Sequence, residues 1–296
     1  MREGRAEDAE DVVAVEEPLE IRVVESRGGH EHSHSLAVTM RTPGDDFALA
    51  AGFLFAEGVV RHPDDFWRIE HCVDPGEKQE FNVVSVALKE GVRFELSRTL
   101  RSFYTTSSCG VCGKATLDAI KVREPPALPL GRPRISAESL AAWPEALRAK
   151  QSVFERTGGL HAAALFHEDG TPIALKEDVG RHNAVDKLVG ERFLEGDVPL
   201  RDCAMLVSGR ASFEILQKAL MAGIPFVAAV GAPSSLAVDT AKEFGMTLVG
   251  FLRGVSFNAY AGPERIAWPS VARGRGRRAS SRSRTTRAPG PRAEGG

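Results

Sequence analysis

Between residues 204 and 252 the chain alternates short apolar runs with amphipathic stretches, a rhythm that few folds can accommodate. The runs at 204–207, 225–230 and 246–252 are apolar at successive positions, as expected of strands covered on both faces. The segments between them, 213–221 and 236–244, carry apolar residues at helical spacing. Apolar strands joined by single helices call for parallel pairing with right-handed crossovers. The expected class is α/β, and no internal repeat interrupts the pattern.

Upstream, 160–166 and 172–176 flank the turn Glu168-Asp169-Gly170-Thr171 as a hairpin, and a helix is expected over 184–193. A further helix over 137–154 should be kinked or interrupted by Pro144. The first third reads as α+β. Strands at 19–25 and 35–41 are separated by a polar turn with three histidines, Arg27-Gly28-Gly29-His30-Glu31-His32-Ser33-His34. Histidines can ligate metal, but at a hairpin tip they are expected to be solvated, and no metal site is assigned. A buried helix follows from Phe47 to Leu54, stopped by Gly58, and a hairpin is expected from 81–88 and 92–96. The predicted organisation is a disordered lead-in over 1–17 and a smaller N-terminal α+β domain over 18–123. A proline-rich linker over 124–136 then leads to an α/β nucleotide- or cofactor-binding domain over 137–268 and an arginine-rich tail over 269–296.

No run approaches the ~18 apolar residues that span a bilayer, and the acidic N-terminus does not resemble a signal core, so a cytoplasmic protein without a membrane partner is expected. The net charge of −2 conceals an asymmetry. The stretch from Arg273 holds eight of the 38 basic groups and one of the 40 acidic groups, leaving 30 against 39, or −9, for the rest. With almost nothing apolar to bury, that tail should be disordered, and it is expected to be a solvated extension in preference to a nonspecific contact with nucleic acid or an acidic partner.

Three polar turns follow strands in the second half. Glu177-Asp178-Val179-Gly180-Arg181-His182-Asn183 opens a helix, Ser208-Gly209-Arg210 precedes the next, and Gly231-Ala232-Pro233-Ser234-Ser235 precedes a third. In an open α/β sheet such turns converge on one crevice at the carboxyl ends of the strands, the usual ligand position. Arg181 and Arg210 suit phosphate because a guanidinium makes two parallel hydrogen bonds, so a nucleotide pyrophosphate fits.

Of the four cysteines, Cys72 and Cys203 stand alone in apolar surroundings and read as small buried hydrophobes. Cys109 and Cys112 form a C-x-x-C pair in the glycine-rich loop Ser107-Ser108-Cys109-Gly110-Val111-Cys112-Gly113-Lys114. A helix beginning near Lys114 would stabilise a thiolate there through its N-terminal dipole, with the lysine adding a cation. By itself the motif admits half a zinc site, a dithiol oxidoreductase or a sulfur carrier. No further ligand pair supports zinc, and no thioredoxin-like unit precedes it.

Taken together these passages resemble the formate dehydrogenase accessory sulfurtransferase family, FdhD. The likeness begins at Glu17-Pro18-Leu19-Glu20-Ile21 and runs through Met40-Arg41-Thr42-Pro43-Gly44-Asp45 to Tyr260-Ala261-Gly262-Pro263-Glu264-Arg265-Ile266. Its most specific parts are the cysteine loop, Glu177 to Lys187, and Ser208-Gly209-Arg210. The resemblance implies a cytidine-deaminase-like α/β domain. It also implies a sulfurtransferase that takes persulfide sulfur from a cysteine desulfurase on Cys109 and Cys112. The sulfur would pass to the Mo(W)-bis(molybdopterin guanine dinucleotide) cofactor, the client cargo required by formate dehydrogenase, and Phe257-Asn258-Ala259-Tyr260-Ala261-Gly262 matches a cofactor-binding stretch. Deaminase chemistry does not follow from that fold. Zinc deaminases need His-x-Glu and Pro-Cys-x-x-Cys, whereas here His161 precedes Ala162 and Ala163. The rival functions are a non-catalytic molybdenum-cofactor chaperone and a dithiol oxidoreductase, and a homodimer is the default assembly.

Overall fold

A computed structural model describes residues 10–92 and 113–269. In its first part, β1 (Glu17–Arg27) and β2 (His30–Arg41) form a long hairpin, followed by α1 (Asp46–Ala56), β3 (Phe66–His71) and β4 (Val83–Leu88). These strands make a sheet ordered β2-β1-β4-β3, with β4 parallel to β1 and antiparallel to β3. The helix α2 (Gly113–Val122) and a two-residue β5 (Ile135–Ser136) lead to α3 (Ala137–Lys150) and α4 (Ser152–Thr157). Then come β6 (His161–Phe166), β7 (Pro172–Asp178), α5 (Arg181–Leu194), β8 (Ala204–Val207), α6 (Phe213–Met221) and β9 (Phe226–Ala229). The described chain closes with α7 (Ser235–Glu243), β10 (Thr247–Arg253), β11 (Ser256–Ala261) and β12 (Ile266–Ala267). The large sheet is ordered β11-β10-β9-β8-β6-β7, and β8, β9 and β10 are parallel as the alternating pattern requires.

The large sheet is covered on both faces, and the period of two along its strands decides which side chain goes where. Ala163, Leu165, Met205, Val207, Val227 and Ala229 join one core with the first sheet, α1, α5 and α6. Their alternating neighbours Ala162, Ala164, Phe166, Leu206, Phe226 and Ala228 face a second core built on α3. There Trp143 stacks on Phe166, with ring centroids 4.4 Å apart and planes 12° from parallel.

Three expectations need correction. The histidine segment is not a turn: Gly28 and Gly29 alone, at φ 62° and 79°, supply both left-handed positions of a two-residue hairpin loop, so the strands zip up to them. His30, His32 and His34 therefore lie on β2, and His34 Nε2 stands 3.2 Å from Glu25 Oε1. Secondly, β4 pairs with β3, a strand the sequence pattern conceals because Trp67 is 73% exposed and a bulge separates Phe66 from Arg68. The other expected partner falls, from residue 93 onward, outside the described residues. Thirdly, the helix over 137–154 breaks at Gln151 and not at Pro144. Buried Trp143 and Leu147 hold the helix through the proline.

The two helices nearest the junction of the sheets cross backbone to backbone. A Cβ on Gly52 of α1 would land on the Asp186 carbonyl, and one on Gly190 of α5 would land on that of Ala48. Overpacking of this kind costs about 1–3 kcal/mol. Gly190→Ala should therefore lower the urea midpoint at unchanged slope. Gly159→Ala, whose Cβ would meet nothing nearer than 3.4 Å, should leave the midpoint almost where it was. Equal midpoints for Gly190→Ala and the parent would show that the helices part without cost.

Candidate functional site

The carboxyl ends of β7, β8, β9 and β10 and the amino end of β6 share one edge of the large sheet. The turns leaving that edge are laced together. Ser208 N donates to Ala162 O at 2.9 Å, and Ala162 N donates to Ser208 Oγ at 2.9 Å, so a hydroxyl extends the β6–β8 ladder. Gly231 N donates to Gly209 O at 2.9 Å, and Ser234 N to Ala211 O at 3.0 Å. A side chain on Gly209 would stand against His161 Nδ1 and Arg181 Cδ, which brings the first turn to the second. Ser234 caps α7 by accepting from Ala237 N at 3.2 Å, and Arg210 is exposed.

The residues of Glu177 to Asn183 divide between two faces. Asp178 is fully buried, and its Oδ2 accepts from Lys187 Nζ at 2.7 Å and from Thr42 N at 3.1 Å. Its Oδ1 accepts from Gly180 N at 2.8 Å and from Asn183 Nδ2 at 3.0 Å. Asn183 also donates to Met40 O at 2.8 Å, so both residues are spent on the seam with β2. Glu177 points the other way and accepts from Phe154 N at 3.1 Å and Val153 N at 3.3 Å, capping α4. Arg181 and His161 remain at the sheet edge, and the Arg181 Nε is buried without a partner among the described residues.

Beside this edge, between α3, α4 and the strand ends, opens a cleft of about 980 Å³. Arg148, Gln151, Phe154, His161, Ser208 and Arg253 line it. Burial, and then the Arg181 guanidinium, hold the His161 pKa below its ordinary value against the pull of Asp178. A second, smaller cavity of about 290 Å³ lies on the opposite side of α5, against β2 and α6, and takes His182, Asp186, Glu214 and Lys218. His182 is thus not brought to the cleft. In the last expected stretch, Tyr260 packs against Gly250 beside Pro233, Phe257 stacks on Trp268 at 5.5 Å, and Asn258 and Ala259 are exposed. Ala261 is buried, and the Gly262 carbonyl accepts from Thr247 Oγ1.

A family model described as the FdhD/NarQ family matches residues 14–267. This chain belongs to the FdhD/NarQ family. It is 54% identical over 270 residues to the sulfur carrier protein FdhD of Streptomyces coelicolor, covering 90% of this chain and 93% of the relative. It is 52% identical over 265 residues to that of Mycobacterium tuberculosis, covering 86% and 92%. A crystal structure of a proposed formate dehydrogenase accessory protein from Desulfotalea psychrophila shares the mixed α/β fold. Its TM-score is 0.65 at 23% identity, over 90% of this chain and 96% of that one.

The thiols of this FdhD/NarQ chain fall into two groups. Cys109 and Cys112 lie outside the described residues, but α2 begins at Gly113, directly after them and close to the expected helix start. The far half of α2 is pinned: Ile120 is buried, Lys121 Nζ meets Glu243 Oε1 at 2.5 Å, and the adjoining Arg123 meets Glu57 Oε2 at 2.9 Å. Cys203 is unpaired and half-buried, and burial, reinforced by Asp202, pushes its thiol up to about 11. Burial also raises the thiol of Cys72. Both are poor nucleophiles at neutral pH.

Sequence reasoning passed over Gln151, Arg148 and Arg253, which carry no motif, and Arg265. Arg265 is 1% exposed and donates to the carbonyls of Arg132, Gly245 and Pro129, tying the linker to the sheet. An arginine near a glycine turn gives no sign of such a role in one sequence.

His182 supplies a pH test of the packing. Burial, then the charges of Arg181 and Lys218, bring its pKa down to about 4, with Glu214 opposing and His161 adding. An unfolded histidine titrates near ~6.5, so between that value and about 4 the unfolded chain binds the extra proton and stability falls as pH falls. His182→Gln should remove this component. The melting temperature of the parent should drop faster than that of the variant through this window, and parallel profiles would show that the imidazole is solvated.

Proposed function

We propose that this protein is a sulfur carrier that accepts persulfide sulfur from a cysteine desulfurase on Cys109 or Cys112. It would pass the sulfur to a molybdenum or tungsten bis(molybdopterin guanine dinucleotide) cofactor destined for formate dehydrogenase. The observation that carries the reading is membership of the FdhD/NarQ family over residues 14–267, whose curated relatives are sulfur carriers. Two physical features support it. The helix α2 starts at Gly113, directly after Cys112 in the sequence, and the N–H groups and dipole of a helix start would favour a thiolate there. Burial keeps Cys72 and Cys203 protonated and out of competition.

In the loading step the thiolate attacks the outer sulfur of the desulfurase persulfide. The S–S bond of that persulfide breaks, the desulfurase leaves as a thiolate, and the sulfane sulfur stays on this chain as a cysteine persulfide. No net oxidation occurs and no external oxidant is needed. In delivery the newly formed Sγ–S bond breaks: the acceptor on the cargo supplies an electron pair and takes the sulfane sulfur, and the cysteine leaves as a thiolate. The cargo's nucleotide arm is assigned to the cleft, which at about 980 Å³ sits at the upper end of the range for small-molecule sites. Arg148 and Arg253 on its wall, and the exposed Arg210 of the neighbouring turn, supply cations for its phosphates, while Ser208, Gly209, Arg181 and Ser234 shape the laced turns. The stretch from Phe257 to Gly262 would meet the cargo along the outer edge of β11. Asp178 and Asn183 serve by holding the first turn. His182, at the smaller cavity, is left with a packing role. The same reading takes the α/β part as cytidine-deaminase-like and the protein as a cytoplasmic homodimer. Among the described residues, no helix is long and apolar enough to cross a membrane.

The test is incubation with a cysteine desulfurase and cysteine labelled in its sulfur. Label released by reductant should appear on the parent and on Cys203→Ala, and be lost from the double variant Cys109→Ala, Cys112→Ala. The single variants then identify the acceptor. A chaperone or dithiol reductase would leave the parent unlabelled, and retention of label by the double variant would sink the proposal.

A further inference from the structure

Two aromatic rings stand exposed against His71, at the end of β3 and the start of α1. Phe47 is 39% exposed with its ring centroid 5.0 Å from that of His71, and Phe81 is 57% exposed with its ring edge to face with the imidazole at 5.4 Å. Phe81 holds a left-handed backbone, φ 59°, that a bulky side chain rarely adopts. Two hydrogen bonds keep it there: Phe81 N donates to Gln79 Oε1 at 2.8 Å, and Arg41 Nη2 donates to Phe81 O at 3.2 Å. Backbone strain that fixes an exposed ring points to a use for that ring.

Phe47 and His71 also line a cavity of about 490 Å³ with Asp45, Asp46, Glu191 and Glu195. These four carboxylates, with Glu17 and Asp197, share three cations. Arg41 pairs with Glu17 and Asp46, Lys176 with Asp45 and Glu191, and Arg192 with Glu191, Glu195 and Asp197. Six carboxylates on three cations leave a surplus of three negative charges beside the rings. Asp45 and Glu195, each with 48% of the side chain exposed, remain open to a further donor. A guanidinium answers both features, since its plane stacks on an aromatic ring while its fork takes a carboxylate.

We propose that this surface docks the chain's own arginine-rich tail, residues 273–296. The tail lies outside the described residues and beyond the residues 14–267 that the family model matches, so the family's sulfur chemistry does not account for it. It carries eight arginines and one acid, whereas the rest of the chain holds 30 basic groups against 39 acidic ones. Reach is no obstacle. Fully extended, the 27 residues from 270 to 296 span roughly 90 Å, and half the circumference of a domain of this size is about 75 Å. Tethering also holds the arginines at a high effective concentration, so contacts that are individually weak suffice.

Limited trypsin digestion of the full chain, followed by intact mass, tests this, because the protease cuts after the tail arginines and cannot take a docked segment into its active site. Phe81→Asn removes the ring and leaves a residue at ease in the left-handed region, and should lose the tail about fivefold faster than the parent. Glu195→Lys leaves the aromatic packing alone, which serves should Phe81→Asn fold poorly, and should lose the tail about twofold faster. The protection of the parent should be the same at protein concentrations tenfold apart, as expected of docking within one chain. Equal cutting rates in the parent and both variants would show that the tail does not dock here. Protection that grows with concentration would assign the surface to the tail of a second copy and overturn the assignment to the chain's own.

Discussion

One buried carboxylate, that of Asp178, joins the two sheets and sets where the functional edge can be. A carboxylate and an ammonium both withdrawn from water lose several kcal/mol each in solvation, and their attraction compensates only when the remaining lone pairs and protons are also satisfied. Here they are. Thr42 N, Gly180 N and Asn183 share the carboxylate with Lys187, and the Lys187 ammonium also donates to Thr42 O at 2.8 Å. Val179 N completes the knot by donating to Thr42 Oγ1 at 3.1 Å. The end of β2 is thereby fastened to the end of β7 and to the first turn of α5. The glycine-to-glycine crossing of α1 over α5 follows from the same placement, because α1 begins four residues after Thr42.

The neighbouring residue in β7 does the opposite work. Successive side chains of a strand point to opposite faces, so if Asp178 faces the seam, Glu177 must face α3 and α4. Its carboxylate caps α4 and thereby supports the chain break at which Gln151 enters the cleft wall. A two-residue acidic pair thus ties the scaffold to the site, one carboxylate on each side of the sheet. Ser208 couples the same edge more directly, since its Oγ takes a position in the β6–β8 ladder while the residue lines the cleft. The functional surface is held by groups whose own hydrogen bonds are already spent.

Much of this was legible in the residues alone, where one physical cause dominated. The parallel β8-β9-β10 core followed from apolar runs linked by single helices, and the convergence of the turns after β8 and β9 followed from that. What escaped was decided by contacts between distant segments. Asp178 and Asn183 read as ligand residues because polar groups at a helix start often are, and the bonds they make to Met40 and Thr42 could not be read without knowing that β2 ends beside them. Gly28 and Gly29 concealed the length of the hairpin, since polar residues at a strand end and in a turn are alike until pairing is known.

The smaller cavity shows how two opposite shifts can share one cause. His182 and Asp186 stand one turn apart on α5 and line the same space, where burial disfavours whichever form is charged. For the histidine that form is the acid, so its pKa falls to about 4; for the aspartate it is the base, so its pKa rises to about 6 despite the Lys218 ammonium 2.7 Å away. The consequences for stability oppose each other. Asp186 contributes stability below the usual carboxylate range and loses it as pH rises through about 6, while the His182 contribution is present at neutral pH and is lost on the way down. Across this range the two contributions therefore partly cancel. Replacing either residue alone should expose the slope that the other contributes.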